Sequence, residues 1–270
     1  VTPPNPEQEI SQATKAFELT GVGLSIDGRT ILSDVSLDFP AGEVVALLGH
    51  NGSGKSSLLK ILARQLSPTA GAVTFGGREL AHYSDRDFAR AVAYLPQDLS
   101  TGSEMTIREL VGCGRYPWHG ALGRFSEVDE QKVEAALTAT HIEMFADRVV
   151  GTLSGGERQR AWIAMLIAQD ARCLLLDEPT AALDVAHQIE VLSLIRKLAH
   201  EGGRSVVIVL HDVNMAARFC DRIHALNKGR IVASGTPHTI LVPDTLRDIY
   251  GIDMDVTSAP NLNHPLAYVC

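Results

Sequence analysis

The segment VVALLGHNGSGKSSLLKILARQL, Val44 to Leu66, decides the fold. Its first five residues are wholly apolar, the pattern of a strand buried on both faces, and further on Leu58, Leu59, Leu62 and Leu66 fall at helical spacing. Between them GHNGSGKS, Gly49 to Ser56, fits G-x-x-x-x-G-K-[ST] at every specified position. Glycines let successive backbone N–H groups turn inward around phosphate oxygens, and a following helix N-terminus adds positive potential. Lys55 supplies a point charge to the same oxygens, and the Ser56 hydroxyl is a ligand for Mg²⁺. The candidate nucleotide-binding residues are therefore Gly49, His50, Asn51, Gly52, Ser53, Gly54, Lys55, Ser56 and Ser57. Strand, glycine loop and helix make half of a βαβ unit, so the fold class is α/β.

Working outward, strand-like runs precede this segment at Phe17–Ile26 and Ile31–Phe39. The middle of the chain, about residues 98–165, has helix-like stretches at 106–112, 129–138 and 157–168 and few strand signals. From Arg172 the alternation returns: CLLLD, a helix over Val185–His200, SVVIVL, a shorter helix over Asn214–Cys220, then IHALN and RIVAS. The expected organisation is a disordered leader at 1–16, an α/β domain at 17–237 with its helical part at about 98–165, and an extension at 238–270. Pro3, Pro4 and Pro6 break any periodicity in the leader, and Pro243, Pro260 and Pro265 punctuate the extension.

Composition narrows the class. The 270 residues are 45% hydrophobic and 21% charged, ordinary for a globular chain and against general disorder. Lys and Arg number 24 against 32 Asp and Glu, a net charge of -8 that argues against a nucleic-acid partner. The longest apolar run, Ala161–Ala168, is far short of the roughly 18–20 residues that span a bilayer, so no membrane crossing is expected. The cysteines at 113, 173, 220 and 270 form no C-x-x-C pair, which favours a reducing compartment over a disulfide framework. The polar, proline-rich VTPPNPEQEISQATK has no signal-peptide pattern.

A metal-binding acid is needed at the end of another buried strand, and CLLLDE supplies Asp177 for Mg²⁺ with Glu178 beside it to polarise a water. LSGGERQ, Leu153 to Gln159, then opens a strongly helical run and forms a second helix N-terminus suited to an anion. With the complete phosphate loop, these motifs resemble the ATP-binding cassette (ABC) family over about residues 17–237. The resemblance implies a P-loop NTPase cassette with a RecA-like core, an antiparallel β subdomain and a helical subdomain. It implies ATP hydrolysis with Mg²⁺ held by Ser56, Gln97 and Asp177, and a catalytic set of Glu178 as general base, Gln97 of AYLPQ and the switch histidine His211. It further implies that Ser154, Gly155, Gly156 and Glu157 (where many members have Gln) contact ATP held by a second copy, with Asp184 of AALD at the dimer seam. Where members stack an aromatic ring on adenine this sequence has Ile26, and Phe17 is an alternative better suited to the core.

The segment GRYPWHGALGRF, Gly114 to Phe125, with AYLPQ and ERQRAWIAMLIAQD, looks like the ATPase subunit of iron(III)-siderophore importers, most of all the ferric hydroxamate type. Tyr116 and Trp118 read either as core anchors or as a partner-facing surface, the second favoured by the flanking glycines. The resemblance implies a peripheral subunit on the cytoplasmic face of the inner membrane, a homodimer, integral-membrane permease partners and, indirectly, a substrate-binding protein. Haem or cobalamin is the alternative cargo, and a soluble ABC ATPase acting on DNA or ribosomes the alternative class. A P-loop kinase leaves LSGGERQ and His211 without a task. NKGR at 227–230 lacks the Asp of a guanine-reading motif and reads as a β-turn, while Cys220 and His224 have ligand-like spacing but no second pair.

Overall fold

The computed structural model describes residues 14–99, 102–120, 123–181, 183–258 and 263–270. They fall into two compact units, residues 14–83 with 196–270, and residues 84–195. The expected leader lies outside the described residues as far as residue 13, whereas Lys15 and Ala16 already belong to the first strand.

The first unit begins with β1 (Lys15–Ile26), β2 (Arg29–Pro40), β3 (Val44–Leu48), α1 (Lys55–Leu62), β4 (Ala70–Phe75) and β5 (Arg78–Glu79). An antiparallel sheet runs in the order β2-β1-β4-β5. Phe17 pairs across it with Phe39 and Phe75, its ring centroid 6.4 and 4.8 Å from theirs, and all three rings are buried. Phe17 is therefore a core residue and no substitute for an adenine-stacking ring.

The second unit contains α2 (Asp85–Ala91), β6 (Val92–Leu95), α3 (Ile107–Cys113), α4 (Tyr116–His119), α5 (Glu127–Ala139), α6 (Gly155–Gln169) and β7 (Cys173–Asp177). Strands β6 and β7 pair in parallel, Val92 with Cys173 through Leu95 with Leu176. The helix starts share a chemistry visible in sequence: Thr106/Glu109, Ser126/Asp129 and Ser154/Glu157 each close a reciprocal capping box, satisfying N–H groups that a helix start leaves over. A buried ion pair joins these helices. Arg115 donates to Asp129 Oδ1 at 2.8 Å and to the Ala168 carbonyl at 2.7 Å. Burial alone would raise the Asp129 carboxyl, but the Ser126 hydroxyl and N–H and the Arg115 guanidinium outweigh it and bring it down to about 2.

Trp118 resolves the two readings of its segment. Its indole N–H donates to the Gln169 carbonyl at 2.7 Å, and the guanidinium groups of Arg90 and Arg115 each lie over its ring, 4.9 and 5.0 Å from the centroid. It is an anchor inside the helical unit, while Tyr116 is the exposed aromatic.

Helix α7 (Val185–His200) leads back to the first unit, which continues with β8 (Ser205–Val209), α8 (Val213–Phe219), β9 (Arg222–Asn227), β10 (Arg230–Gly235), α9 (Pro237–Ile240), α10 (Pro243–Tyr250), β11 (Met254–Thr257) and β12 (Leu266–Val269). In this unit β10-β9-β3-β8 are consecutive neighbours, with β3 parallel to both β8 and β9. The NKGR turn forms the β9–β10 hairpin, Lys228 and Gly229 both at positive φ as a two-residue hairpin loop needs. The extension is not a loose tail: two helices and a strand pair follow residue 236. Among the described residues no helix is long and apolar enough to cross a membrane.

His224 on β9 is 2% exposed, with Nε2 3.1 Å from the Asp38 carbonyl and Nδ1 2.8 Å from the Ser234 hydroxyl. A carbonyl only accepts, so Nε2 carries the proton and the ring is neutral, its pKa pushed down to about 4 chiefly by burial. Both ring nitrogens thus serve the sheet, and the spacing to Cys220 is not a metal signature.

Two stability outcomes follow from these buried groups. Asp129→Ala leaves the Arg115 cation buried without its partner and should cost about 3–5 kcal/mol in urea unfolding; a loss below 1 kcal/mol would show the pair to be dispensable. His224 binds a proton more readily unfolded than folded, so its contribution is complete above about pH 6.5 and is lost as pH falls toward 4. Between pH 7 and 5 the wild-type chain should lose about 2 kcal/mol more than His224→Gln does; equal pH slopes would remove His224 from the account.

Candidate nucleotide-binding site

In the first unit the apolar strand β3, buried at all five positions, delivers the loop Gly49–Gly54 to helix α1. Gly54 precedes the helix at φ 103°, and a Cβ there would meet Leu32 Cδ2 at 2.7 Å and the Ile31 carbonyl at 3.1 Å. No side chain caps this helix start and no acidic residue lies in its first turn, unlike the three capping boxes of the second unit. Its positive end is left to the loop. Lys55 is 4% exposed and folds back so that Nζ donates to the carbonyls of Gly49 and His50 at 2.8 and 3.0 Å. Ser53 is fully buried and its hydroxyl has no hydrogen-bond partner among the described residues. A buried ammonium, an uncapped helix start and a spare hydroxyl within one turn of chain fit a polyphosphate. Ser56 and Ser57 are half-buried in the first helical turn, and Asn51 and Gly52 are exposed at the loop crest.

The neighbouring parallel strands bring further residues to the same edge. Leu47 is in register with Val209 and Leu48 with Ala225, so the chain beyond β8, carrying His211, and the β9–β10 turn leave the sheet where the phosphate loop does. His211 is exposed just before Asp212, which caps α8 by accepting from the N–H groups of Asn214 and Met215. His50 Nε2 lies 2.9 Å from Asn227 Oδ1, and Gly229 N–H donates to the Ser53 carbonyl at 3.0 Å. Ile26, at the end of β1, is 42% exposed, an accessible apolar surface without a π-face.

In the second unit Asp177, 2% exposed, closes β7, and Glu178 follows at φ 52°. A left-handed backbone costs a non-glycine residue about 1–2 kcal/mol, and such strain concentrates at functional positions. Gln97, after β6, donates from Nε2 to Glu178 Oε2 at 2.8 Å, which fixes the orientation of the carboxylate. On β6 the Tyr94 phenol is pushed up to about 12 by burial and by the Asp177 charge.

Ser154 and Gly155 are exposed at the start of α6. Glu157 has a task within its own helix. Its carboxylate accepts from the Ser154 N–H at 2.8 Å and hydroxyl at 2.7 Å, closing the cap of its own helix, and those bonds hold its pKa low. Asp184 Oδ1 accepts from the His187 N–H at 3.0 Å and lies 2.8 Å from His187 Nδ1. A Cβ on Gly156 would meet the His187 ring at 3.2 Å, so His187 joins Asp184 to the signature glycines. Sequence reading missed His187, Asn227 and Tyr94. Tyr94 lies in AYLPQ and Asn227 opens NKGR, but neither motif assigns them a part, and His187 lies three residues beyond Asp184 outside any quoted motif.

The sequence pattern of the ABC transporter family matches residues 32–181, more than half of the chain. The iron(3+)-hydroxamate import ATP-binding protein FhuC of Bacillus subtilis (strain 168) is 40% identical over 91% of each chain. The ferric enterobactin transport ATP-binding protein FepC of Escherichia coli (strain K12) is 41% identical over 88% of each. Among solved structures, an inward-facing putative metal-chelate type ABC transporter superposes with a TM-score of 0.82 at 28% identity, covering 94% of this chain and 96% of that one. A phosphate loop on a parallel strand, an acid at the end of β7 and a serine-capped glycine pair at α6, carried through a chain so closely related, mean that it belongs to the ABC transporter family, as an ATP-binding cassette.

Proposed function

We propose that this chain is the energy-coupling ATPase of a bacterial importer for iron(III)-siderophore chelates of the hydroxamate class, at the cytoplasmic face of the inner membrane. The observation that carries the importer reading is the 40–41% identity to siderophore-import ATP-binding proteins over 88–91% of each chain, and the hydroxamate class rests on the resemblance of the Gly114–Phe125 segment. Residues 17–237 form the catalytic cassette in this reading.

The loop 49–57 binds the triphosphate of ATP through backbone N–H groups and Lys55, and Ile26 packs against the adenine. Mg²⁺, with Ser56, Gln97 and Asp177 as its ligands, would neutralise charge on the β- and γ-phosphate oxygens. Glu178, its carboxylate oriented by Gln97, accepts the proton of the attacking water. His211 hydrogen-bonds the γ-phosphate. Ser154, Gly155 and Gly156 meet the γ-phosphate held by a second copy, while Glu157 keeps their helix start capped. Asp184 lies at the seam of that homodimer. Permease subunits receive the motion and a substrate-binding protein presents the chelate.

Glu178→Gln should retain ATP binding, lower hydrolysis by about 10²-fold or more, and accumulate an ATP-dependent dimer in size-exclusion chromatography. Turnover at the wild-type rate would mean that another group acts as base. In cells lacking the gene, uptake of labelled iron(III)-hydroxamate should be lost, restored by the wild-type chain and not by Glu178→Gln. Undiminished uptake in the deletion strain, with no redundant importer, would shift the cargo to another metal chelate and leave the cassette ATPase in place.

A further inference from the structure

The C-terminal extension reaches the phosphate loop and the His211 segment through separate contacts. Helix α10 is seated by Leu246 and Ile249, both fully buried. Its last turn presents carbonyls that no later helical N–H can satisfy. The Asp248 carbonyl accepts instead from Asn227 Nδ2 at 2.7 Å, and the Oδ1 of the same amide lies 2.9 Å from His50 Nε2. One asparagine thus links the helix end to the phosphate loop. At the final residue of α10 the Tyr250 hydroxyl donates to the His211 carbonyl at 3.4 Å. Burial and the Asp212 charge push this phenol up to about 12, so it remains a donor at neutral pH. On the far side of His211, Asn214 pairs with the backbone of Ala267 in β12, donating to its carbonyl at 2.9 Å and accepting from its N–H at 2.8 Å. These residues all belong to the first unit.

We infer that helix α10 and strand β12 act as a clamp, with Asn227 positioning the phosphate loop through His50, and Tyr250 and Asn214 positioning the segment that carries His211. Neither Asn227 nor Tyr250 touches the reacting atoms; each acts through a group that does. The effect on turnover rests on the ATPase reading above, whereas the clamp itself is a property of the folded chain. The two arms make separate demands. Loss of the Asn227 link loosens the binding loop and weakens ATP association. Loss of the Tyr250 hydroxyl loosens the His211 segment and slows the chemical step.

The test uses the full-length chain with Tyr250→Phe, which keeps the ring and removes only the hydroxyl, and Asn227→Ala. Steady-state ATP hydrolysis, thermal melting and backbone hydrogen–deuterium exchange are measured on each. Tyr250→Phe should lower kcat by about three- to tenfold with KM for ATP unchanged, and speed exchange in residues 210–216 alone. Asn227→Ala should raise KM by a similar factor and speed exchange in residues 49–54. Exchange unchanged in both segments overturns the clamp, as does a loss of activity that merely follows a lowered Tm. Exchange is read without hydrolysis, so a wild-type chain that fails to turn over ATP would sink the ATPase reading while the clamp is still decided.

Discussion

The phosphate loop stands on one backbone-to-backbone approach. The Leu226 carbonyl of β9 lies 2.2 Å from where a Cβ on Gly49 would sit, so only glycine lets β3 end against β9 and turn at φ 144°. That approach sets the height of everything after it. Ser53 then takes the Gly229 N–H through its carbonyl, Gly54 clears Leu32, and Lys55 starts the helix with Nζ turned back over the loop. A side chain at Gly49 would not simply add bulk. It would part the strand that carries the loop from the hairpin that supports it.

The local part of this design was legible in the sequence because its signals are local. Strand β3 and helix α7 fall on their expected bounds, and the NKGR turn forms where the polar pair interrupts two apolar runs. What stayed hidden depends on partners far away in the chain. Strand β4, AGAVTF, opens with small residues and gives little alternation, and β6 is four residues long and shows itself only by pairing with β7. The glycines around Trp118 favour a partner-facing surface in the sequence, and only its contacts with Arg90, Arg115 and Gln169 show it to be an anchor. The proline-punctuated extension has no periodicity to read, yet Pro237 just before it and Pro243 within it open α9 and α10, where a missing N–H costs nothing.

Glu157 shows how a motif residue changes its part with one atom. A carboxylate and an amide both complete a capping box, but only the carboxylate brings negative charge to the positive end of the helix. Here that charge is committed to the Ser154 N–H and hydroxyl, with Arg148 and Arg160 lowering its pKa further. The helix start is stabilised by its own side chain, and part of its attraction for a phosphate is offset. The exposed Ser154 and Gly155 backbone is what remains for an external anion in the proposed dimer.

The proposed chemistry is divided between the units, and each prepares its share internally. The first holds the phosphate loop and His211, tied to one extension by Asn227, Tyr250 and Asn214. The second holds Glu178, oriented by Gln97, and the signature serine, fixed by its cap. Preorganisation within a unit removes side-chain searching from the reaction coordinate, because donors already aimed need no reorganisation when charge develops.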